Sequence, residues 1–263
     1  MMTTTQTTPT TQSEQPRAAS FGKQLLSQTS FELSMTLRQG ERVLVTLILP
    51  ILLLIFFSAL KIIPVTRDES AVDFLLPGVL ALAIIAAGMV SLGIATAYER
   101  RYGVLKRLGS SPLPRGGLIL SKVISVLVLE FIQTVLLVAV AVLFYGWRPA
   151  GSLPLAVLGA ALGTVTFAAL GLAMAGGLRA EATLAGANAL YLIFLLIGGG
   201  ILPLDHLPAP LAALAQLLPP AALTQVLQST LTTGQAFPAG AFLTLAIWAV
   251  IILAVAITTF KWE

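Results

Sequence analysis

Residues 98–117 read YERRYGVLKRLGSSPLPRGG, and they carry five Lys/Arg and one Glu between two long runs with almost no charge. The chain has 263 residues, of which 57% are hydrophobic and only 10% charged, whereas a soluble domain is about 25% charged. Many of the apolar residues fall in runs long enough to cross roughly 30 Å of hydrocarbon. The sequence therefore predicts an all-α integral membrane protein in which a basic, proline-rich segment joins two spans.

The hydropathy pattern predicts six transmembrane helices. They are placed at about 43–63, 74–97, 118–144, 153–178, 182–203 and 239–260. Pro77 would then lie in the first turn of the second span, a position that proline favours. Twelve of the fifteen Lys and Arg residues fall on the side of the termini, and Lys61, Arg67 and Arg148 fall on the other. By the positive-inside rule, both termini are expected in the cytoplasm of a bacterial-type cell membrane.

The residues before the first span divide into two parts. Residues 1–19 are rich in Thr, Gln and Pro, which predicts a disordered tail. They do not resemble a signal peptide, because no apolar core follows a short basic start. Residues 20–42 mix polar and apolar positions, which favours an interfacial helix at the membrane surface, with a partly ordered linker as the alternative. Residues 43–263 would form the transmembrane domain.

A single helix from Tyr98 to Leu108 would have two distinct sides. The apolar side would carry Tyr98, Tyr102, Val104, Leu105 and Leu108 with Arg101 intruding, and the charged side Glu99, Arg100, Gly103, Lys106 and Arg107. Gly109 suits a helix end, and Pro112 and Pro114 prevent continuation. The pattern predicts a short amphipathic helix that presents its charged side to the cytosol. An ordinary basic loop that touches anionic lipid is the alternative.

Two separated motifs resemble those of ABC-2 type transporter permeases. The first is ERRYGVLKRLGSSPLPRGGLILSK at 99–122, and the second is NALYLIFLLIGGGILPLDHLPAPLAALAQLLPPAALTQVLQSTL at 188–231. FLLPGVLALAI at 74–84 and the terminal FKWE also fit that family. The resemblance covers about residues 20–263.

The resemblance implies that the segment after the second span is a coupling helix that docks on a cytosolic ABC ATPase. Its residues here would be Glu99, Arg100, Arg101, Tyr102, Gly103, Leu105, Lys106 and Arg107. The chain has no GxxxxGK[ST] motif, so it is not expected to bind ATP through a P-loop or to be an enzyme by itself. ATP and Mg are expected on the partner, and no cofactor on this chain. Two ATPase copies would pair with two permeases, the second being an identical copy or a paralogue.

The segment 204–238 contains no Lys or Arg, and its apolar stretches are too short to span. Pro203 would end the fifth span, and Asp205 would cap a helix from Pro208 to about Leu218. Pro219 and Pro220 would break it, and a second helix would run from about 221 to 233. Helices of this length predict a re-entrant hairpin in the outer leaflet, as the resemblance also implies.

Four polar residues fall inside predicted spans, namely Glu130, Gln133, Asn188 and Tyr191. A charge near the bilayer centre costs roughly 2.5–3.5 kcal/mol on insertion scales, so Glu130 should face protein or water. Either an interhelical hydrogen bond or a place along the translocation path would satisfy it.

The function that fits best is the permease of an ATP-driven exporter for a hydrophobic or amphipathic compound, such as a drug or lipid. Polysaccharide, glycolipid or ion export through the same kind of permease is an alternative, and a channel or passive membrane anchor is another. The chain lacks the paired intramembrane carboxylates, the HExxH motif and the Ser/His pair that an intramembrane enzyme would need. Membrane lipid is an expected partner. Nucleic acid is not, because basic loops account for the net charge of +4.

Overall fold

The computed structural model describes residues 19–38, 40–60, 70–108, 113–232 and 237–260. All regular secondary structure in these ranges is helical, so the predicted all-α class is confirmed. Eleven α-helices lie there: α1 Phe21–Arg38, α2 Gly40–Leu60, α3 Ala71–Ile85, α4 Leu92–Arg101, α5 Val104–Leu108, α6 Arg115–Tyr145, α7 Leu153–Gly177, α8 Ala180–Ile197, α9 Ala209–Gln216, α10 Pro219–Leu231 and α11 Ala239–Thr259. A π-helical segment, Ala86–Ser91, joins α3 to α4.

Five helices among the described residues are long and apolar enough to cross a membrane. They are Ala71–Arg101, Gly116–Tyr145, Leu153–Gly177, Ala180–Ile197 and Ala239–Thr259, and they overlap the second to sixth predicted spans. The first predicted span overlaps α2, whose apolar part, Thr46–Leu60, is shorter than the roughly 20 residues a span needs. Residues 61–63 of that prediction, and residues 1–18 of the predicted tail at 1–19, lie outside the described residues.

The second span begins earlier than predicted because of a capping box at its start. Asp73 Oδ2 accepts hydrogen bonds from the Ser70 backbone N–H at 2.9 Å and from Ser70 Oγ at 2.8 Å. This pairing satisfies polar groups that a helix start leaves without partners. α3 therefore starts at Ala71, and Pro77 lies inside the helix rather than in its first turn, so that prediction is wrong.

α7 lies at the centre of the bundle and packs against α3, α4, α10 and α11. Glycines allow the backbones to approach closely there. A Cβ on Gly171 of α7 would lie 2.6 Å from the carbonyl oxygen of Gly88 in the π-helical segment, and one on Gly78 of α3 would lie 1.9 Å from that of Gly200, just after α8. α3, the π-helical segment and α4 therefore form one long buried helix. It packs closely against α7 and against the turn that follows α8.

The outer helices turn large apolar side chains away from the protein. Leu143 on α6 is 79% exposed and Ile257 on α11 is 73% exposed. Leaving such side chains in water instead of an apolar medium costs about 1.5–3 kcal/mol each. A surface of this kind suits hydrocarbon, which supports the integral membrane assignment.

The hairpin before the last span consists of α9 and α10, which meet at a bend of 79°. Pro219 and Pro220 form the first turn of α10 instead of separating two helices, so the predicted start at 221 is wrong. Proline suits this position because its fixed φ is helical and its missing N–H would have no partner. Asp205 does not cap α9, because it lies in a 3₁₀ turn, Leu204–His206, between Pro203 and Pro208.

We expect Gly78→Ala to lower the thermal-unfolding midpoint of the purified protein, because the new methyl group would meet backbone atoms of Gly200 that cannot rotate away. Overpacking of this kind costs about 1–3 kcal/mol. Gly116→Ala on α6 is the matched control, since a Cβ there meets no atom within 4 Å. Equal midpoints for the two variants would contradict the close approach of α3 to the end of α8.

Candidate functional site

The α4–α5 corner, residues 99–108, is built differently from the predicted single helix. α4 continues from the second span to Arg101, Tyr102 and Gly103 form a turn, and α5 starts at Val104. Gly103 has a φ of 69°, a left-handed conformation that ends a helix and that glycine adopts without a steric penalty. The prediction of one helix from Tyr98 to Leu108 is therefore wrong. Residues 109–112, which include the predicted helix end at Gly109, lie outside the described residues.

Glu99 turns inward from the corner and joins a buried ion cluster. Lys122 Nζ on α6 donates to Glu32 Oε1 on α1 at 2.8 Å and to Glu99 Oε1 on α4 at 2.9 Å. The Lys122 side chain is only 4% exposed. The prediction that Glu99 faces the cytosol is therefore wrong. These three residues, the Lys122 cluster, connect three helices.

Arg100 also turns inward, so its predicted place on the water-facing side is wrong. Its guanidinium group donates to the carbonyl oxygens of Gly176 and Leu178 at the end of α7. The last carbonyls of a helix have no partner within the helix, and a cation near them is stabilising. Arg101 pairs with Glu181 in the first turn of α8. The corner is thus fastened to the short turn between α7 and α8.

The part of the corner that stays accessible is smaller than predicted. Leu105 is 2% exposed and holds α5 against the rest of the protein, whereas Lys106 and Arg107 are exposed. Tyr102 was predicted to pack under the bundle, but it is 67% exposed, because the turn at Gly103 directs it away from the other helices. Tyr102, Val104, Lys106 and Arg107 form what we call the corner surface, which combines an aromatic ring, an apolar side chain and two cations.

The predicted polar residues of the third span make contacts with two different helices. Glu130 Oε2 lies 2.5 Å from Thr164 Oγ1 on α7, and Gln133 Nε2 donates to the Thr46 carbonyl oxygen on α2 at 2.8 Å. Both side chains are buried. Glu130 and Gln133 therefore connect α6 to its neighbours, and they act as interhelical contacts in this conformation.

Asn188 and Tyr191 are not brought together with Glu130. The Asn188 side chain is exposed, and its Nδ2 donates to the carbonyl oxygen of Leu184 in its own helix at 2.7 Å. Tyr191 is half-buried one turn further along α8. Of the two polar residues predicted inside the fifth span, Asn188 thus makes an intrahelical hydrogen bond and Tyr191 packs against the hydrophobic core.

A small apolar cavity of about 70 Å³ lies between α1, α2, the π-helical segment and α6. The polar part of its lining comes from Thr36, Thr46, Ser91 and Gln133. Among the four polar residues predicted inside spans, Gln133 thus both lines this cavity and contacts a neighbouring helix.

Sequence reasoning missed the Lys122 cluster as a unit. Lys122 was counted with the cytoplasmic charges, and Glu32 was not singled out. One signal was present in the sequence: a lysine inside the predicted apolar span at 118–144 needs a partner, since burying a lone ammonium group is very costly. That signal does not say which carboxylates supply the partner.

We expect Lys122→Met to lower the thermal-unfolding midpoint, because Glu32 and Glu99 would be left as partly buried carboxylates without a cation. Breaking a buried ion pair from one side costs about 3 kcal/mol or more. Lys106→Met is the control, since an exposed lysine is worth within about 0.5 kcal/mol. Adding Glu32→Gln and Glu99→Gln to Lys122→Met should recover most of the loss. If Lys122→Met is as stable as Lys106→Met, the cluster does not hold α1 in place.

Comparison with known proteins gives one positive finding. No curated protein matches the chain. The family described as ABC-2 type transporter matches residues 23–232. That range includes most of α1, the α4–α5 corner, the Lys122 cluster and both helices of the hairpin. It covers well over half of the sequence, and the chain belongs to the ABC-2 type transporter family.

Proposed function

We propose that this chain is the permease of an ATP-driven exporter and that a cytosolic ABC ATPase docks on the corner surface. The observation that carries the proposal is the contrast within residues 99–108. Glu99 and Arg100 bind α6 and the end of α7 directly, and Lys122 extends the contact to α1, whereas Tyr102 and Lys106 are exposed. The corner is held in place and exposes an aromatic ring and a cation. These features favour a docking site for a protein over the alternative of a loop that only touches lipid.

The contacts of the corner suggest how movement of a docked ATPase would reach the spans. Displacement of α5 would pull on α4, which continues directly into the second span. Arg100 would carry the displacement to the end of α7, and Glu99 would carry it to α6 and α1 through Lys122. Because packed helices shift as rigid units, a push at one corner would act on four helices together.

We further propose that the end of the bundle with the α4–α5 corner is cytoplasmic and that the α9–α10 hairpin is external, in a bacterial-type cell membrane. Twelve of the fifteen Lys and Arg residues support this orientation. The permease would work as a dimer of identical or paralogous subunits with two ATPase copies. Its apolar outer surface and apolar cavity suit a hydrophobic or amphipathic cargo such as a drug or lipid.

The orientation is testable with single cysteines, because the natural chain has none. Asp205→Cys in the hairpin should react with a membrane-impermeant maleimide on intact cells, since that side chain is 80% exposed. Arg179→Cys, exposed in the α7–α8 turn, should react only after permeabilisation. The reverse pattern would show that the assignment of sides is wrong.

The docking proposal predicts that Lys106→Glu lowers ATPase co-purification about tenfold, which corresponds to about 1.4 kcal/mol. Charge reversal at an interface introduces repulsion and can cost several kcal/mol. Membrane insertion and the thermal midpoint should be unchanged, because Lys106 is exposed. Co-purification, ATP turnover and efflux would be measured together on the same preparation.

Arg148→Glu is the matched control for this test. Arg148 is also an exposed cation, but it lies between α6 and α7, at the hairpin end of the bundle. The reversal there should leave association with the ATPase unchanged. Wild-type association and turnover in Lys106→Glu would overturn the docking proposal. Arg100 is unsuitable for such a test, because its side chain holds the end of α7.

A further inference from the structure

A second cavity, of about 310 Å³, lies at the hairpin end of the bundle. It is lined by the start of α3, the turn after α8, the start of the 3₁₀ turn, the end of α9 and one side of α10, and it is partly open to the outside. Sites for small ligands occupy about 300 Å³ or more. The hairpin-end cavity therefore has room for one small chemical group, such as a single sugar ring.

The described residues that line this cavity are about equally polar and apolar, and none of them carries a charge. Gln216, Thr224, Gln225 and Gln228 supply amide and hydroxyl groups, and Phe74 supplies an apolar wall. An ion that entered would lose water without meeting an opposite charge, which is costly. The lining therefore selects for an uncharged ligand.

Gln228 has a hydrogen-bond donor that the protein does not use. Its Nε2 is buried and has no hydrogen-bond partner among the described residues. Leaving such a group unpaired costs about 1–3 kcal/mol. Nε2 has almost no accessible surface in the empty cavity, so the Gln228 amide must turn toward a ligand before an acceptor on that ligand can remove the cost. The neighbouring Gln225 and Thr224 side chains can both donate and accept.

We propose that the hairpin-end cavity binds an uncharged group rich in hydroxyls, with the chemistry of a neutral sugar. Sugar hydroxyls donate and accept hydrogen bonds, so they complement amide side chains at both atoms. Phe74 would pack against the less polar face of the sugar ring. The sugar is either the headgroup of a lipid or a free saccharide. This proposal depends on the geometry of the cavity and not on ATPase docking or transport. The sugar site and the proposed function can therefore be tested separately.

The test uses the full chain in nanodiscs without ATPase or ATP. Monoglucosyl diacylglycerol with a diazirine on the sugar is compared with phosphatidylglycerol that carries the same diazirine on its headgroup. Cross-linked peptides are mapped by mass spectrometry. We expect the glucosyl lipid to label the stretch from Gln216 to Gln228 about tenfold more than the anionic lipid, which corresponds to about 1.4 kcal/mol. Equal labelling by the two lipids, or no labelling of this stretch, would overturn the proposal.

Competition with free methyl glucoside separates the two sources of the sugar. Loss of the label at millimolar methyl glucoside would assign the site to a soluble saccharide. Retention of the label would assign it to a lipid-held sugar, whose local concentration in the bilayer is far higher. Both results support a neutral sugar site.

Gln228→Met tests the residue itself, because methionine keeps the length of the side chain and removes the amide. We expect labelling by the glucosyl lipid to fall about tenfold, or about 1.4 kcal/mol, while the thermal midpoint without ligand stays the same or rises. Gln24→Met on α1 is the control for labelling and should not change it; only labelling is compared, because Gln24 Nε2 donates to the Ala19 carbonyl oxygen at 2.6 Å. Normal labelling in Gln228→Met would overturn the proposal, and so would a lower midpoint, which would show that the amide serves the fold alone.

Discussion

A lysine buried between two carboxylates is the interaction on which the arrangement of this end of the protein depends. Lys122 is almost inaccessible, and its ammonium group meets Glu32 from α1 and Glu99 from α4. Each charge alone would be very costly to remove from water. Because the Lys122 ammonium group can meet both carboxylates in only one geometry, α1, α4 and α6 are held in a fixed relation at this end of the spans.

The Lys122 cluster also holds the α4–α5 corner in place. Glu99 and Arg100 are consecutive residues, and one is tied to α6 while the other closes the end of α7. Arg101 reaches α8 on the exposed side. The basic character of the segment thus has two physical uses. Some cations satisfy carbonyl and carboxylate oxygens of the permease itself, and others remain on the corner surface.

The sequence predicted the helical class and most of the spans, because long apolar runs have few alternatives in a membrane. It failed at helix ends and at the direction of individual side chains. Pro77 seemed to mark a helix start, but Ser70 and Asp73 start the helix a turn earlier. Arg100 seemed water-facing by helical projection, whereas its long side chain reaches backbone carbonyls about 76 residues further along the chain. Such hydrogen-bond partners depend on which helices pack together. The periodicity of a single helix does not predict that packing.

The separation of Glu32 and Lys122 in the chain also constrains the order of assembly during synthesis. The two residues are 90 positions apart, and at about 5–20 residues per second the ribosome needs between about 5 and 20 s to make the intervening chain. During that interval α1 exists with an unpaired carboxylate, and its natural place is the aqueous surface of the membrane. The first helix of the bundle is therefore docked only after the third span has emerged, so α1 reaches its final position much later than its place in the chain suggests.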